Sequence, residues 1–304
     1  MTMKAFYNIG RIAFWSVLMT LCLACSDGDD SNGGGSGGQD KKRLSTVNYS
    51  YMYEDGRVEN AKEEYLYDDK GRISVWKYYS WNGYGDRDDL TLNQTISFSY
   101  GDDQIVVKTN YGSGTETRTC TLNEYGNVEK VYYRDEGAGV IDDEPTTFTY
   151  DDQQQLVQIT GNGTGGKYRI TYTWENGNIV KIEEAGYDLT IDATVPLCTN
   201  TTTFDYTLYP SWQGIVYKYM LIDVAYSDLL NAGYLLAEFG YLGKKPQNLI
   251  ACCKEMRNGK SGELTISYKF GGDGYVSKLN MSGFGDFNGG YRDKIDETYE
   301  FMRE

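Results

Sequence analysis

The chain of 304 residues has no histidine, only 4 prolines and more acidic than basic side chains, with a net charge of −15. Without histidine, the Ser-His-Asp and Cys-His nucleophile arrangements and the His-Glu-x-x-His zinc site are excluded. The acidic balance argues against binding to nucleic acid, because neutralising phosphates requires a basic face. We therefore expect no cofactor, no metal site and no enzymatic activity.

Tyrosine, in contrast, is abundant, with 29 copies, and aromatic residues make up 14% of the chain. Tyrosine suits β-sheets, where its ring packs on the pleated surface and its hydroxyl reaches water or a polar partner. The hydrophobic fraction of 40% is sufficient for a packed core. The composition therefore predicts a globular protein rich in β-sheet.

Residues 1–24 have the pattern of a signal peptide. Lys4 and Arg11 form a positive region, and Ile12 to Ala24 is an apolar run that is too short to span a membrane. The end of this run, Leu21 to Cys25, resembles the lipobox of bacterial lipoproteins. The resemblance implies cleavage before Cys25 and lipidation of its thiol. The alternative is an ordinary secretory signal with an incidental cysteine.

Residues 25–42 are expected to form a flexible tether behind the lipid. Ser26 to Gln39 is rich in Asp, Gly, Ser and Asn and has no apolar residue, so it cannot join a core. Its start is similar to the acidic export signal of Bacteroidetes outer-membrane lipoproteins, with the matching residues Ser26, Asp27, Asp29 and Asp30. The resemblance implies a domain on the cell surface. The alternative is a solvated linker and a domain that faces the periplasm.

A hairpin pattern recurs through residues 43–304, which we expect to form a single domain. In its clearest copy, Tyr65 and Tyr67 share one strand face, Asp68 to Gly71 supply a turn, and Ile73 lies on the returning strand. Further copies begin at Tyr51, Phe98, Cys120, Phe148 and Tyr172. The Cys120 copy keeps the turn but lacks the aromatic residues. The succession predicts an antiparallel meander of hairpins.

The hairpins from Val47 to Arg303 resemble the tyrosine-aspartate (YD) repeats of Rhs-type wrapping proteins. They are more similar to a Bacteroidetes lipoprotein family of unknown function with a porin-like fold. Gly240 to Leu249 is similar to a Gly-Lys-x-x-Asn-Leu stretch of that family. The resemblance implies an all-β fold, either a strongly curved antiparallel sheet or an incompletely closed β-barrel, with no established activity.

One segment, Ser227 to Phe239, departs from the strand pattern. Its apolar residues fall at helical spacing, Ser227 is a suitable N-cap, and Gly240 or Gly243 is a suitable C-cap. We predict a short helix that plugs the concave side or an open end of the sheet. The alternatives are a mobile lid over a ligand cavity and a helix that contacts the membrane.

Two patterns that are associated with catalysis have a structural interpretation. Gly161 to Gly166 matches the dinucleotide pattern Gly-x-Gly-x-x-Gly, but a strand follows instead of a helix, so we expect a hairpin loop. The aspartate pairs Asp68-Asp69 and Asp151-Asp152 lie in turns, where their carboxylates can accept backbone amides.

The four cysteines of the domain are Cys120, Cys198, Cys252 and Cys253. An exported domain permits disulfides. Because adjacent cysteines rarely bond to each other, Cys252 and Cys253 either pair separately with Cys120 and Cys198 or all four remain free thiols.

Trp76, Trp81 and Tyr84 surround an Asn-Gly turn and are candidates for contact with a ligand, with packing in the core as the alternative. We therefore predict a lipid-anchored outer-membrane protein whose β domain binds a glycan, a protein or an envelope component. The alternatives are a periplasm-facing carrier of a lipid or other apolar ligand, and a carboxylate-dependent hydrolase. A carrier requires an apolar pocket beneath the helix, and a hydrolase requires two carboxylates in one cleft.

Overall fold

The computed structural model describes residues 42–52, 56, 58–81, 89–112, 114–135, 140–141, 144–163, 166–187, 198–214, 231–257, 259–287 and 290–303. The strands within these ranges are β1 (Leu44–Met52), β2 (Val58–Tyr67), β3 (Ile73–Trp81), β4 (Leu90–Tyr100), β5 (Gln104–Asn110), β6 (Thr115–Leu122), β7 (Val128–Asp135), β8 (Val140–Ile141), β9 (Thr146–Tyr150), β10 (Leu156–Gly163), β11 (Gly166–Glu175), β12 (Asn178–Tyr187), β13 (Cys198–Pro210), β14 (Asn248–Arg257), β15 (Lys260–Phe270), β16 (Val276–Phe287) and β17 (Gly290–Arg303). The helices are a 3-10 helix (Ser211–Gln213) and α1 (Asn231–Glu238). None of the helices in these ranges has the length and hydropathy to cross a membrane.

Sixteen of the described strands form a closed antiparallel barrel. Neighbours in the barrel are neighbours in sequence, except that β9 pairs directly with β7 and the short β8 pairs only with the end of β7. Tyr49 of β1 lies opposite both Ala61 of β2 and Tyr299 of β17. The prediction of an all-β antiparallel meander is confirmed. The prediction of an incompletely closed barrel is wrong, because β17 returns beside β1 and pairs with the edge that an open sheet would expose.

The interior of the barrel is the hydrophobic core. Alternate residues of each strand point inward, and those that are fully buried include Val47, Ile96, Val107 and Ile159. The residues between the core positions are polar on most strands, and several form ion pairs on the outer wall. Examples are Lys62 with Glu64, Lys254 with Asp205 and Lys278 with Glu300. The wall is therefore mainly apolar inside, and its outer face carries charged side chains.

Helix α1 contributes to this core. Ala232, Leu235, Leu236 and Ala237 are each at most 1% exposed, and the ring of Tyr234 meets Trp76 of β3 edge to face, 6.2 Å away. This burial agrees with the predicted plug. These side chains belong to the hydrophobic core. The carrier hypothesis, which requires an apolar cavity beneath the helix, stays a prediction.

The helix ends in a Schellman motif at Gly240, one of the two predicted C-caps. The amide of Gly240 donates to the carbonyl of Ala237 at 3.1 Å, and that of Tyr241 donates to Leu236 at 2.8 Å. Gly240 has a φ of +85°, which favours glycine. The helical residues Asn231–Glu238 lie within the predicted range, whereas the predicted N-cap Ser227 lies outside the described residues.

Six tight turns of the described chain lie at one end of the barrel, which we call the turn end. They comprise residues 68–72, 101–103, 123–127, 151–155, 176–177 and 271–275. At three of them one side-chain oxygen accepts two backbone amides: Asp68 those of Lys70 and Arg72, Asn123 those of Tyr125 and Asn127, and Asp151 those of Gln153 and Gln155. The turn role predicted for Asp68 and Asp151 is confirmed.

A ladder of side-chain donors also encircles the turn end. Each donor lies near the end of one strand and bonds the carbonyl of a residue at the start of the preceding strand in the barrel. The pairs are Tyr67 to Leu44, Tyr100 to Ile73, Tyr150 to Val128, Trp174 to Leu156, Tyr206 to Ile179, Tyr268 to Ile250 and Arg303 to Val276. At the corresponding place on β6 stands Leu122, in the copy that lacks the aromatic residues.

Residues 241–247, which we call the strap, link α1 to β14 and bond two of the turns and the start of β7. The carbonyl of Tyr241 accepts from Val128, Lys244 donates to Gln154 at 2.8 Å, and Gln247 donates to Gly177 at 2.9 Å. The strap forms most of the stretch Gly240 to Leu249, so the structure gives that stretch a role in fastening the turn end.

Two further predictions concern glycines and cysteines. Gly161 lies opposite Tyr168 and Gly163 opposite Gly166 in the hairpin of β10 and β11, so the predicted hairpin is confirmed. Cys120, Cys252 and Cys253 are free thiols. The side chain of Cys198 lies outside the described residues.

Candidate binding site

A pocket of about 310 Å³ opens at the turn end. It lies between the start of the described chain, the turn at residues 271–275 and the end of β17. Its charged, hydroxyl and aromatic lining residues are Lys42, Asp273, Tyr275, Ser277, Phe301 and Arg303. Only closure of the barrel places Lys42 next to Arg303.

The turn at residues 271–275 positions Asp273. The amide of Gly271 donates to Tyr275 at 2.8 Å, and that of Gly274, whose φ is +81°, donates to Gly271 at 3.1 Å. One oxygen of Asp273 accepts from the amide of Tyr275 at 3.2 Å, and the other accepts from Lys42 Nζ at 3.1 Å. Both bonds lower the pKa of Asp273, and the bond from Lys42 has the larger effect. The carboxylate is therefore ionised at neutral pH.

Arg303 is fixed between the pocket wall and the 3-10 helix. Its guanidinium donates to the carbonyl of Val276 and, at 3.5 Å, to that of Gln213. The guanidinium carbon lies 4.8 Å from the ring centre of Tyr275 and 5.8 Å from that of Phe301. Burial lowers the pKa of Arg303 from its ordinary value, but arginine remains charged at neutral pH.

Exposed aromatic residues stand beside the pocket. Trp212 is 59% exposed and meets Tyr275 edge to face, with ring centres 5.6 Å apart. Tyr209 is 49% exposed and packs against Phe270, with ring centres 4.6 Å apart. We call Tyr209, Trp212, Phe270 and Tyr275 the aromatic rim. The rim supplies flat apolar surfaces, and the pocket supplies fixed donors and a fixed acceptor, a combination suited to an amphipathic ligand.

The structure separates the aromatic residues that the sequence singled out. Trp76 is 1% exposed and its ring is stacked 5.9 Å from that of Tyr78, inside the barrel. Trp76 therefore packs in the core, which is the alternative that the sequence left open, and in this position it is closed to a ligand at the surface. Trp81 is half-buried at the far end of β3, opposite Leu90. Tyr84 lies outside the described residues.

The predicted lipidation site Cys25 and the predicted export-signal residues also lie outside the described residues. Those export-signal residues are Ser26, Asp27, Asp29 and Asp30. Lipidation and export therefore stay predictions.

The interior also contains polar residues, and several of them bond to one another. Arg118 is 1% exposed, pairs with Glu116 at 2.9 Å and lies 5.1 Å from the ring centre of Tyr133. The hydroxyls of Tyr65 and Tyr299 donate to the buried Glu63 and Glu297. Within the described residues, no three Cys, Asp or Glu side chains are arranged to hold a metal ion.

Sequence reasoning missed every charged and aromatic residue of the pocket and rim. Lys42 was assigned to the tether, and Arg303 was only the end of the last hairpin. One local signal was available, since Gly271-Gly272-Asp273-Gly274 is a glycine-rich variant of the repeated turn, followed directly by Tyr275. The exposure of Trp212 cannot be read from its neighbours in sequence.

Comparisons with known proteins identify the fold. The crystal structure of a porin-like protein from Bacteroides uniformis ATCC 8492 is similar, with a TM-score of 0.63 and 20% sequence identity over 86% of this chain and 98% of that one. No curated protein matches the chain. A family model described as a domain of unknown function (DUF4595) with porin-like fold matches residues 65–278. The chain therefore belongs to this family of porin-like domains.

Proposed function

We propose that this protein is a lipid-anchored component of the cell envelope that binds a glycan at the pocket and aromatic rim of its turn end. The observation that carries the proposal is the position of Trp212, 59% exposed and in contact with Tyr275 of the pocket wall. The apolar face of a sugar ring packs on such a side chain, while its hydroxyl groups need donors and acceptors. Asp273 accepts, and Lys42 and Arg303 donate.

The size of the pocket supports a small ligand or one unit of a larger one. Ligand pockets have volumes of roughly 300–1,000 Å³, and this one, at about 310 Å³, lies at the lower limit. A single sugar with its neighbours lying on the rim would fit this shape better than a protein surface, which requires a broad contact area.

We also propose that the barrel stays outside the bilayer. Barrels that span an outer membrane have an apolar band on the outer face and a polar interior. This barrel differs from that pattern, because ion pairs such as Lys62 with Glu64 lie on the outer face and the interior is mainly a hydrophobic core, with a minority of polar side chains. Charged side chains facing lipid are costly. Attachment to the membrane would therefore depend on the lipid at Cys25, and the residues from Ser26 to Asp30 would direct the domain to the cell surface.

Attachment can be tested by the substitution Cys25→Ser. We expect loss of lipid labelling and release from the membrane fraction. Lipid-labelled, membrane-bound Cys25→Ser protein would contradict the proposed anchor. Digestion of the tether by protease on intact cells, with a periplasmic protein as the integrity control, would support the surface position. Digestion only after lysis would contradict it and favour the periplasm-facing alternative.

Glycan binding can be tested on the full mature chain in detergent with an array of bacterial and plant glycans. Trp212→Ala should weaken binding of any array hit by at least about tenfold, because truncating a central aromatic contact commonly costs 2 kcal/mol or more. Tyr125→Ala is the matched control, because Tyr125 is also 59% exposed and lies in another turn at the same end. Equal affinity of both variants and the unmodified protein would contradict the proposed site.

A further inference from the structure

The guanidinium of Arg303 carries a positive charge and forms no ion pair with a carboxylate in the described part of the chain. Its bonds go to the carbonyl oxygens of Val276 and Gln213, and its faces lie near the rings of Tyr275 and Phe301. Carbonyl groups and rings offset a positive charge only partly. A guanidinium has five N–H donors, so these two bonds leave three for a ligand.

The electrostatics of Arg303 agree with this geometry. Burial is the largest influence on its pKa and lowers it, whereas the nearby charges of Asp273 and Glu238 raise it by less. Glu238 itself pairs with Lys245 at 3.1 Å. An anion in the pocket would therefore meet a partly buried cation that is incompletely compensated.

The pocket also differs in charge from the rest of the molecule. Its charged lining residues are Lys42, Arg303 and Asp273, which together carry one positive charge, whereas the chain carries −15. Lys42 is 49% exposed and bonds only Asp273 among the described residues, so its ammonium can reach a second acceptor. One surplus positive charge suits an anion of single charge.

We infer that the pocket selects glycans that bear a carboxylate, such as a uronic acid, with Arg303 and Lys42 as the residues that recognise it. This inference rests on the proposed glycan-binding function and specifies its ligand class. A carboxylate is planar and takes two parallel bonds from a guanidinium. A phosphate monoester carries up to two negative charges, more than the single surplus positive charge of the pocket can offset.

Gly272 lines the pocket and is exposed. A Cβ there would meet nothing within 4 Å, so the backbone of the turn does not crowd a ligand at this edge. The turn would place a bound sugar between Trp212 and Arg303, with its hydroxyl groups within reach of Asp273.

The test compares oligogalacturonate with the same oligomer in its methyl-esterified form, on the full mature chain in detergent. The two probes share ring and hydroxyl groups and differ in charge. We expect the acid to bind at least about tenfold more tightly than the ester, with an advantage that shrinks in high salt. On the glycan array, uronate-containing glycans should predominate among the hits.

Substitutions of Lys42 and Arg303 test whether these two residues cause the preference for the acid over the ester. Lys42→Gln should reduce the ratio of the affinity for the acid to the affinity for the ester several-fold, without changing the melting temperature. Arg303→Lys keeps the charge but loses the planar fork, and it should reduce the ratio further. Lys278→Gln is the matched control, because Lys278 is also partly accessible, with 38% of its side chain exposed, and bonds one carboxylate, Glu300, on the outer wall. It should leave the ratio unchanged.

Two outcomes would overturn the inference in different ways. Array hits that are neutral, sulfated or phosphorylated, or equal affinity for acid and ester, would overturn the carboxylate preference and leave glycan binding intact. An array without hits would overturn both the preference and the proposed function. Because Lys42 is exposed, its variant tests the preference even if Arg303→Lys proves unstable.

Discussion

The hydroxyl of Tyr100, at the end of β4, donates to the carbonyl oxygen of Ile73, at the start of β3, over 2.7 Å. β3 and β4 follow each other through the far end of the barrel, so no turn joins them where this bond forms. The other bonds of the ladder connect equivalent pairs of strands. The second aromatic residue of the repeat therefore fastens neighbouring strands where the chain itself does not.

We predict that Tyr100→Phe lowers the free energy of unfolding by about 1 kcal/mol, the net value of a typical hydrogen bond. The change removes only the hydroxyl, which bonds the carbonyl of Ile73 and also the side chain of Tyr241. Tyr132→Phe is the control, because Tyr132 lies on β7 and is 39% exposed, and it should change stability by less than about 0.5 kcal/mol. Urea unfolding of both variants measures the difference. Equal effects would contradict a stabilising ladder.

The ladder also predicts loss of stability in alkali. Burial raises the pKa of Tyr67, Tyr100, Tyr150, Tyr206 and Tyr268 above the ordinary value of 10.0. Above pH 10 the unfolded chain releases these protons first, so the folded state binds more protons and its stability falls as pH rises. Each tyrosine contributes at most about 1.4 kcal/mol per pH unit.

Urea midpoints from neutral pH to about pH 11 test this prediction. We expect a plateau below the ordinary tyrosine pKa and a steep decline above it, accompanied by tyrosinate absorbance that rises only as the protein unfolds. Substituting one ladder tyrosine by phenylalanine should make the decline shallower. Full ionisation of the tyrosines in folded protein near pH 10 would contradict the burial effect.

Gly243→Ala should destabilise the protein through the strap. Gly243 has a φ of +79°, and a Cβ there would lie 2.4 Å from the carbonyl oxygen of Gln154. Gly259→Ala is the control, because Gly259 has a φ of +76° and open space around its Cβ position. We expect the free energy of unfolding to fall by about 1 kcal/mol in both variants, because alanine disfavours this backbone conformation. At Gly243 it should fall by about 2 kcal/mol more, because the added Cβ crowds the carbonyl of Gln154. Similar melting temperatures would contradict the close contact of strap and turn.

Arg118→Met should lower the free energy of unfolding by about 3 kcal/mol, because it leaves Glu116 inside the barrel without its cationic partner. Lys62→Met removes a comparable ion pair, with Glu64 at 2.8 Å, from the outer wall. There, water compensates the remaining carboxylate, so the expected cost is below about 1 kcal/mol. Denaturant unfolding distinguishes the two, and an equal cost would contradict the assignment of inside and outside.

The thiols should differ in reactivity in the folded protein. Burial raises the pKa of Cys120 to about 12 and also raises those of Cys253 and Cys252, but Cys252 is partly exposed on the opposite face of β14, where a reagent can reach it. Because the thiolate is the reactive form, we expect a thiol reagent to label Cys252 well before the other two. Mass spectrometry of labelled peptides checks this order, and Cys252→Ser should abolish the fast phase.

Several features followed from the sequence because they depend on neighbouring residues. Asp68 accepts the amides of residues two and four positions on, and Gly240 ends a helix whose apolar spacing lies just before it. The aromatic repeat gave the hairpins and their order. The copy that begins at Cys120 lacks the aromatic residues, and the structure shows that it has no ladder donor at Leu122. Local turn chemistry and periodicity were sufficient for all of these.

Closure and the binding pocket were decided only by the tertiary structure. Whether β17 meets β1 depends on the curvature accumulated over the whole sheet, to which each hairpin adds a small share. The pocket then assembles from Lys42 near the start of the described chain, Arg303 near its end and the turn that carries Asp273. The tertiary structure also decided that Trp76 is buried and Trp212 is exposed. A side chain's environment is set by the strands and loops that surround it, and those are distant in sequence.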